Sequence, residues 1–313
     1  MNFMREILIN ENDAGQRLDK FLTKFMPKLP SAMLYKSLRK NCVRVNGKHV
    51  KDGAYKLSAG DKLSLYFKDE FFSVKAEEIR KSNIKLNIVY EDENILLINK
   101  PAGVVAHADD RNTETTLIDS VKAYLYEKGE FNPSAEHSFS PALCNRLDRN
   151  TQGIIIAAKN AAALRAVNEK IRERQIQKLY LCVADGKFEK KTDILSSYLT
   201  RHEKMVSVSD TISENSKLIK TKYTVLAENE TSSLVEVELM TGRTHQIRAQ
   251  LAAIGHPLAG DAKYGSKTAG GYKLCSYKLR FEFPSDGGIL DYITGREFSI
   301  SVNFAKKFFS QKS

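Results

Sequence analysis

The stretch that most constrains this chain is a charged loop that runs straight into an apolar strand. It reads Cys144-Asn145-Arg146-Leu147-Asp148-Arg149-Asn150-Thr151-Gln152-Gly153, followed by Ile154-Ile155-Ile156-Ala157-Ala158. The apolar run has the length and β-branching of a buried strand, and Gly153 is the turn signal before it. Asp148 is therefore expected on a loop at the mouth of a sheet, where a rigid scaffold presents functional groups. Its neighbours Arg146 and Arg149 should hold the carboxylate in its charged form, since nearby positive charge favours the anion. Such a group suits a nucleophile or base better than a general acid. Taken alone, the same residues would read as a solvated turn with surface ion pairs.

Two further stretches shift that balance. Lys100-Pro101-Ala102-Gly103, with Val105-Ala106-His107, follows a strand-like run. About a hundred residues beyond Asp148 come Thr241-Gly242-Arg243-Thr244-His245-Gln246-Ile247-Arg248, Leu251 and Gly255-His256-Pro257-Leu258-Ala259-Gly260-Asp261. In this order the three stretches resemble the RNA pseudouridine synthases, and more narrowly the branch that acts on large-subunit ribosomal RNA. The likeness covers nearly the whole chain.

The resemblance implies a set of roles. Asp148 occupies the position of the single catalytic aspartate. Arg146 takes that of the arginine that enters the RNA in place of the extruded base. Tyr180 matches the base-stacking tyrosine, a candidate to remove the C5 proton. Arg248 matches the arginine that pairs with the aspartate, and a bidentate pair would fix the carboxylate's orientation. The implied reaction breaks the C1′–N1 bond of uridine, turns the base and rejoins it through C5. It is redox-neutral and needs no cofactor. The uracil must leave the RNA stack, and the aspartate either attacks C1′ or removes the C2′ proton. Asn145 and Gln152 depart from the family's usual His-Arg-Leu-Asp and Thr-Ser-Gly, which bears on RNA context rather than on the carboxylate. Lys100, Pro101 and Gly103 read as structural, and His107 and His245 as hydrogen-bonded core or RNA-facing residues.

Charge points to the same class of partner. The chain of 313 residues carries a net charge of +11, which favours a polyanion such as nucleic acid or an acidic membrane surface. Residues 1–70 hold 14 Lys/Arg against 8 Asp/Glu, more than half of that excess. From Phe21 through Lys51 there are eight basic residues and no acidic one, a pattern that fits phosphate tracking. This front unit is similar to the S4-type RNA-binding domain, from Arg17-Leu18-Asp19-Lys20-Phe21-Leu22 to Lys56-Leu57-Ser58-Ala59-Gly60-Asp61. Arg39, Lys40, Arg44, Asn46 and Lys48 are its candidate RNA contacts.

Patterning gives a coarse layout. Leu18, Phe21, Leu22 and Phe25 recur at helical spacing, Ser31 is placed to cap a second helix, and Asn46-Gly47 signals a hairpin. Residues 1–70 read as the front domain, 71–83 as a linker and 84–313 as the catalytic domain. In the latter, 84–98 predicts a hairpin, and 116–126 a helix with Thr116 and Asp119 as a cap pair. Residues 161–174 predict a helix with Leu164, Val167 and Ile171 on one face. Strands are expected at 175–184, 223–227, 234–240 and 274–283. On the first of these, Tyr180 lies opposite Leu179 and Leu181. Thr244 is expected to cap a helix that ends at Gly255, with Ile247, Leu251 and Ile254 as its buried stripe.

The expected fold class is thus α+β: a mixed, largely antiparallel catalytic sheet preceded by a small S4-type α/β domain. The four cysteines and six histidines form no ligand-spaced pairs, so no metal is expected and the thiols should be buried and reduced. No run reaches membrane-spanning length, and the expected protein is a cytoplasmic monomer that binds RNA, with no membrane partner. Three other readings stand beside the isomerase: an inactive RNA-binding or ribosome-assembly factor, a transfer RNA pseudouridine synthase, and a nucleosidase or glycosidase. The last ordinarily needs a second catalytic carboxylate, which the motifs do not offer.

Overall fold

In the computed structural model, the residues described are 3–72, 79–108, 114–203 and 205–310. The front unit comprises β1 (Phe3–Leu8), α1 (Leu18–Phe25), α2 (Ser31–Arg39), β2 (Val43–Val45), β3 (Lys48–His49) and β4 (Lys62–Phe67). Its strands pair antiparallel in the order β1-β4-β2-β3. The helices bury Leu18, Phe21, Leu22, Leu34 and Leu38 against Val43, Leu63 and Leu65 of the sheet. Asn46 (φ 51°) and Gly47 (φ 77°) make the two-residue hairpin turn that their sequence announces. Residues 73–78 of the expected linker lie outside the described residues. Before them Phe72 packs into the front core, so that unit's packing extends past residue 70.

The large unit begins with β5 (Ile88–Glu91), β6 (Ile95–Lys100), α3 (Leu117–Glu127), β7 (Ala142–Leu143), β8 (Gln152–Ala158), α4 (Ala161–Arg172) and β9 (Ile176–Asp185). It continues with β10 (Thr192–Arg201), β11 (Val206–Ser209), β12 (Lys217–Glu228), β13 (Ser232–Leu239) and α5 (Gln246–Ala253). Last come β14 (Leu274–Phe281), β15 (Glu297–Ser299) and α6 (Asn303–Ser310). The sheet order is β11-β10-β12-β13-β9-β14-β8-β6-β5, with β15 beside β14 and β7 beside β8. Among the described residues the one parallel pairing is β14 with β8, so the sheet is mixed and largely antiparallel, as expected.

β8 explains its own sequence. Ile155 and Ala157 join one core with Leu117, Val121 and Leu251. Ile154 and Ile156 join another with Val167, Leu279 and Phe281. A strand covered on both faces reads as a continuous apolar run.

Several local expectations are corrected. Ser31 is the first helical residue of α2, behind Pro30, and makes no side-chain cap. Thr244 does not cap α5. His245 stands at that position with φ 54°, and Gln246 starts the helix. Ile254 is 40% exposed, so the buried stripe is Ile247 and Leu251. β10 was not expected at all. Six of its ten residues are Ser, Thr, Asp or Arg, and its burial is partial, so no strand period stands out. Of the thiols, Cys182 and Cys275 are buried, whereas Cys42 and Cys144 are only partly so. The Thr116–Asp119 capping box is present.

Polar contacts seat the front unit on the large one. Asn12 donates to Glu136 (2.8 Å) and accepts from the Ala161 backbone (3.0 Å), while Gln16 donates to Ser138 (2.7 Å). Ser138 in turn donates to the fully buried Asp13 (2.6 Å), and His137 lies edge-on to Phe21 and Phe25. Among the described residues, no helix is long and apolar enough to cross a membrane.

Candidate active site

Asp148 sits in the loop between β7 and β8, and three neighbours hold that loop in place. The Lys100 ammonium is wholly buried and donates to the carbonyls of Pro101, Val104 and Arg149, each at 2.9 Å. Burial lowers its pKa to about 8, with the negative charge of Asp148 pulling the other way. Gly103 donates its backbone N–H to the same Arg149 carbonyl at 2.9 Å. At the strand entry, Gly153 has φ 131° and lies hard against the Ser276 backbone. A Cβ there would come within 2.3 Å of the Ser276 oxygen, so only glycine allows β8 and β14 to meet.

The cation nearest Asp148 is not one of its chain neighbours. Arg149 turns away, donating to the Gly103 carbonyl (3.1 Å) and to Glu114 (3.0 Å). Arg146 is exposed and has no acidic partner among the described residues. The positive charge comes instead from α5, where Arg248 Nη1 stands 3.6 Å from Asp148 Oδ2. The expected bidentate pair exists, but with a different carboxylate. Arg248 Nε and Nη2 donate to Asp261 Oδ2 and Oδ1 at 2.6 and 2.8 Å. The guanidinium also lies 4.3 Å from the Tyr272 ring centroid and 5.0 Å from that of Tyr264, positions that favour cation–π attraction.

Three residues of this arrangement were given no role from sequence: Asp261, Tyr264 and Tyr272. Asp261 did carry a signal, since an acid after Pro257-Leu258-Ala259-Gly260 is buried only with a cation beside it. His245 also belongs here. Its Nε2 is 3.7 Å from Asp148, its Nδ1 is 2.8 Å from Tyr264 Oη, and burial lowers its pKa.

Asp148, with a 30% exposed side chain, opens onto a cleft of about 910 Å³ also lined by Arg146, His107, Tyr180, Arg243 and Arg248. That volume is ample for a nucleotide. Tyr180 points to the side of the sheet away from Leu181, as its spacing requires, and is 5% exposed. Burial pushes its phenol up to about 12, against a lowering influence from Ser276, so it keeps its proton at neutral pH. Among the described residues, no group of three or more His, Cys, Asp or Glu is placed to hold a metal ion.

In the front unit, Arg39, Lys40 and Lys48 are exposed and have no acidic partner among the described residues. Arg44 is half-buried, bonds Asn41 at 3.3 Å and lies over the Tyr66 ring. Asn46 is occupied within the fold: its side chain donates to Asp61 and accepts from the Lys62 backbone.

The chain is similar to known proteins along most of its length. Residues 94–253 match the family described as RNA pseudouridylate synthase, and residues 16–63 match the S4 domain. A Pasteurella multocida protein named ribosomal large subunit pseudouridine synthase C is 32% identical, over 92% of this chain and 89% of that one. A protein of the same name from Escherichia coli is 33% identical, over 83% and 80% respectively. Among solved structures, human RNA pseudouridylate synthase domain containing 4 shares the fold with a TM-score of 0.57 and 20% identity, over 72% of this chain and 92% of that one.

Proposed function

The chain belongs to the RNA pseudouridylate synthase family, whose members isomerise uridine in RNA, and from that premise we propose that large-subunit ribosomal RNA is its substrate and Asp148 its catalytic group. The observation that carries the assignment of Asp148 is its position: an accessible carboxylate facing Arg248 at 3.6 Å, on the wall of a cleft shared with Tyr180. Arg248, immobilised by Asp261, presents its remaining Nη1 to Asp148 and so sets the carboxylate's approach to the ribose. Arg146, exposed and without an acidic partner among the described residues, is free to enter the RNA where the uridine leaves. Tyr180 serves as the stacking face for the flipped base. Its retained proton favours stacking over removal of the C5 proton. The uracil loses its bond from N1 to C1′, gains one from C5, and exchanges the C5 proton for one on N1, so atoms balance without a co-reactant.

Asp261 does not revive the glycosidase reading. It is 2% exposed and both of its oxygens are taken by Arg248, so it is not available as a second catalytic acid. The front unit supplies docking through Arg39, Lys40, Arg44 and Lys48, which present charge to phosphates. Asn46 acts there through the hairpin it shapes. A monomer is proposed. A ribosomal substrate puts its work in the cytoplasm, with no metal required.

The test is to map pseudouridine by carbodiimide reactivity in ribosomal and transfer RNA from a strain lacking the protein. Loss confined to large-subunit ribosomal RNA supports the substrate. Loss confined to transfer RNA replaces it.

A further inference from the structure

The cleft wall holds a cation with no counterpart among the described residues. Lys178 lies two residues before Tyr180 on β9, on the same face of the sheet, and both line the cleft. It is half-buried, and burial alone lowers its pKa from the ordinary lysine value. Three more deeply buried lysines show what such a group normally requires. Lys100 donates to three carbonyls, and Lys159 meets Glu91, Glu130 and the Asp92 carbonyl. Lys170 donates to the Asp286 carbonyl and lies over the Phe283 ring. Among the described residues, Lys178 has neither an ion pair nor a hydrogen bond. The cost of withdrawing its ammonium from water is not offset by any of them.

A second observation comes from the rim beside it. Arg174, between α4 and β9, holds φ 62°. Glycine is the usual residue in that conformation just beyond a helix, and an L side chain there costs on the order of 1 kcal/mol. Arg174 is exposed, lines the same cleft and has no acidic partner among the described residues. Two cations without an acid beside them, one in the wall and one on the rim, thus face the space in front of Tyr180.

We propose that Lys178 and Arg174 form a phosphate subsite that grips a backbone phosphodiester of the RNA at the flipped uridine. The proposal rests on reading the cleft as the uridine site. Side chains two apart on a strand are about 6.5 Å apart along it. That matches the reach from a base stacked on Tyr180 to the phosphate of its own nucleotide. The uracil ring is neutral in the substrate, whereas the phosphodiester is an anion throughout, and paired cations suit the latter.

The experiment uses the full chain and an RNA stem-loop that the unaltered protein converts to pseudouridine. Single neutral methylphosphonate linkages replace each phosphate flanking the target in turn. Affinity is measured across a salt series for the unaltered protein, Lys178→Gln and Arg174→Gly. Lys178→Gln should weaken binding about tenfold and make the salt slope shallower by about 0.7, the value for one phosphate no longer neutralised. One methylphosphonate should weaken the unaltered protein at least as much as Lys178→Gln does, and should weaken Lys178→Gln by less, since only Arg174 there still meets the phosphate. Arg174→Gly should bind more weakly while melting at a higher temperature, because glycine relieves the backbone, and this separates lost charge from lost fold. Unchanged affinity and salt slope in Lys178→Gln would overturn the subsite. So would methylphosphonate losses that add in full to those of the variant. Turnover by the unaltered protein on the same RNA reports on the function independently.

Discussion

Arg248 gives two guanidinium hydrogens to Asp261, at 2.6 and 2.8 Å, and only its remaining Nη1 faces Asp148, at 3.6 Å. One carboxylate is thus used to aim an arginine at another. The division suits both groups. Asp261 is 2% exposed with both oxygens held by the one guanidinium, whereas the Asp148 side chain is 30% exposed. Replacing Asp261 by Ala should cost about 3–5 kcal/mol of folding stability, because it leaves a buried guanidinium without its partner. Asp261→Asn keeps the shape but weakens the pair, so it should retain the fold and lose turnover more than RNA affinity. Urea denaturation, together with turnover and binding assays, checks both variants. Wild-type turnover in Asp261→Asn would mean that Arg248 needs no aiming.

Gly153→Ala tests the strand crossing beneath the Asp148 loop. The added methyl meets backbone of Ser276 rather than a flexible side chain, and φ 131° is itself unfavourable for alanine. β8 and β14 would have to part at their parallel pairing. The variant should be destabilised by roughly 3 kcal/mol, as overpacked and strained sites are at the upper end. A melting temperature equal to the unaltered protein's would contradict the packing described.

Much of this was legible in the sequence, and the exceptions share a cause. The Asn46-Gly47 hairpin, the capping box at Thr116 and the alternation that separates Tyr180 from Leu181 are local, so a few residues specify them. The partner of Arg248 is not local. An arginine followed within thirteen residues by an acid could pair with it or with an acid a hundred residues back, and only the fold decides. The same holds for Arg149, whose proximity to Asp148 in sequence did not become an ion pair. β10 escaped because a partly exposed strand rich in Ser and Thr carries no hydrophobic period. Thr244 failed as a cap because His245 takes that position in a left-handed conformation.

Lys100→Met should cost both stability and activity. It leaves the carbonyls of Pro101 and Val104 without their ammonium donor, at about 1–3 kcal/mol for each buried group left unsatisfied, while that of Arg149 keeps the Gly103 N–H. The loop bearing Asp148 would lose its anchor. The lysine also makes a signed contribution to pH dependence. Its pKa is about 8 in the fold, below the ordinary lysine value. Between those limits the unfolded chain binds more protons than the folded one, so this group's contribution makes stability rise with pH there. The penalty for burying the charge is present in full below about pH 8. Comparing the pH dependence of unfolding for the unaltered protein and Lys100→Met isolates that slope. An identical pH dependence in the two would show that Lys100 does not titrate in this range.

Removing residues 1–80 tests the docking role of the front unit. The large unit keeps cores of its own around Ile155 and Ile156, so it should fold, although Glu136, Ser138 and the Ala161 N–H lose partners. On a short stem-loop it should still form pseudouridine. On long RNA it should bind more weakly, with a salt slope shallower by about 0.7 for each phosphate no longer neutralised. Equal affinity and equal salt slope on long RNA would show that the basic face does not dock.

The central claim is that the Asp148 carboxylate does the chemistry while its surroundings bind the RNA. Asp148→Asn changes one oxygen to an amide nitrogen and leaves the volume nearly the same. Turnover and RNA affinity of this variant, measured on one substrate, test the claim most directly. Pseudouridine formation should fall below detection while the dissociation constant stays within about threefold of the unaltered protein's, a change under about 1 kcal/mol. Sustained pseudouridine formation by a sequence-verified Asp148→Asn protein would contradict the account.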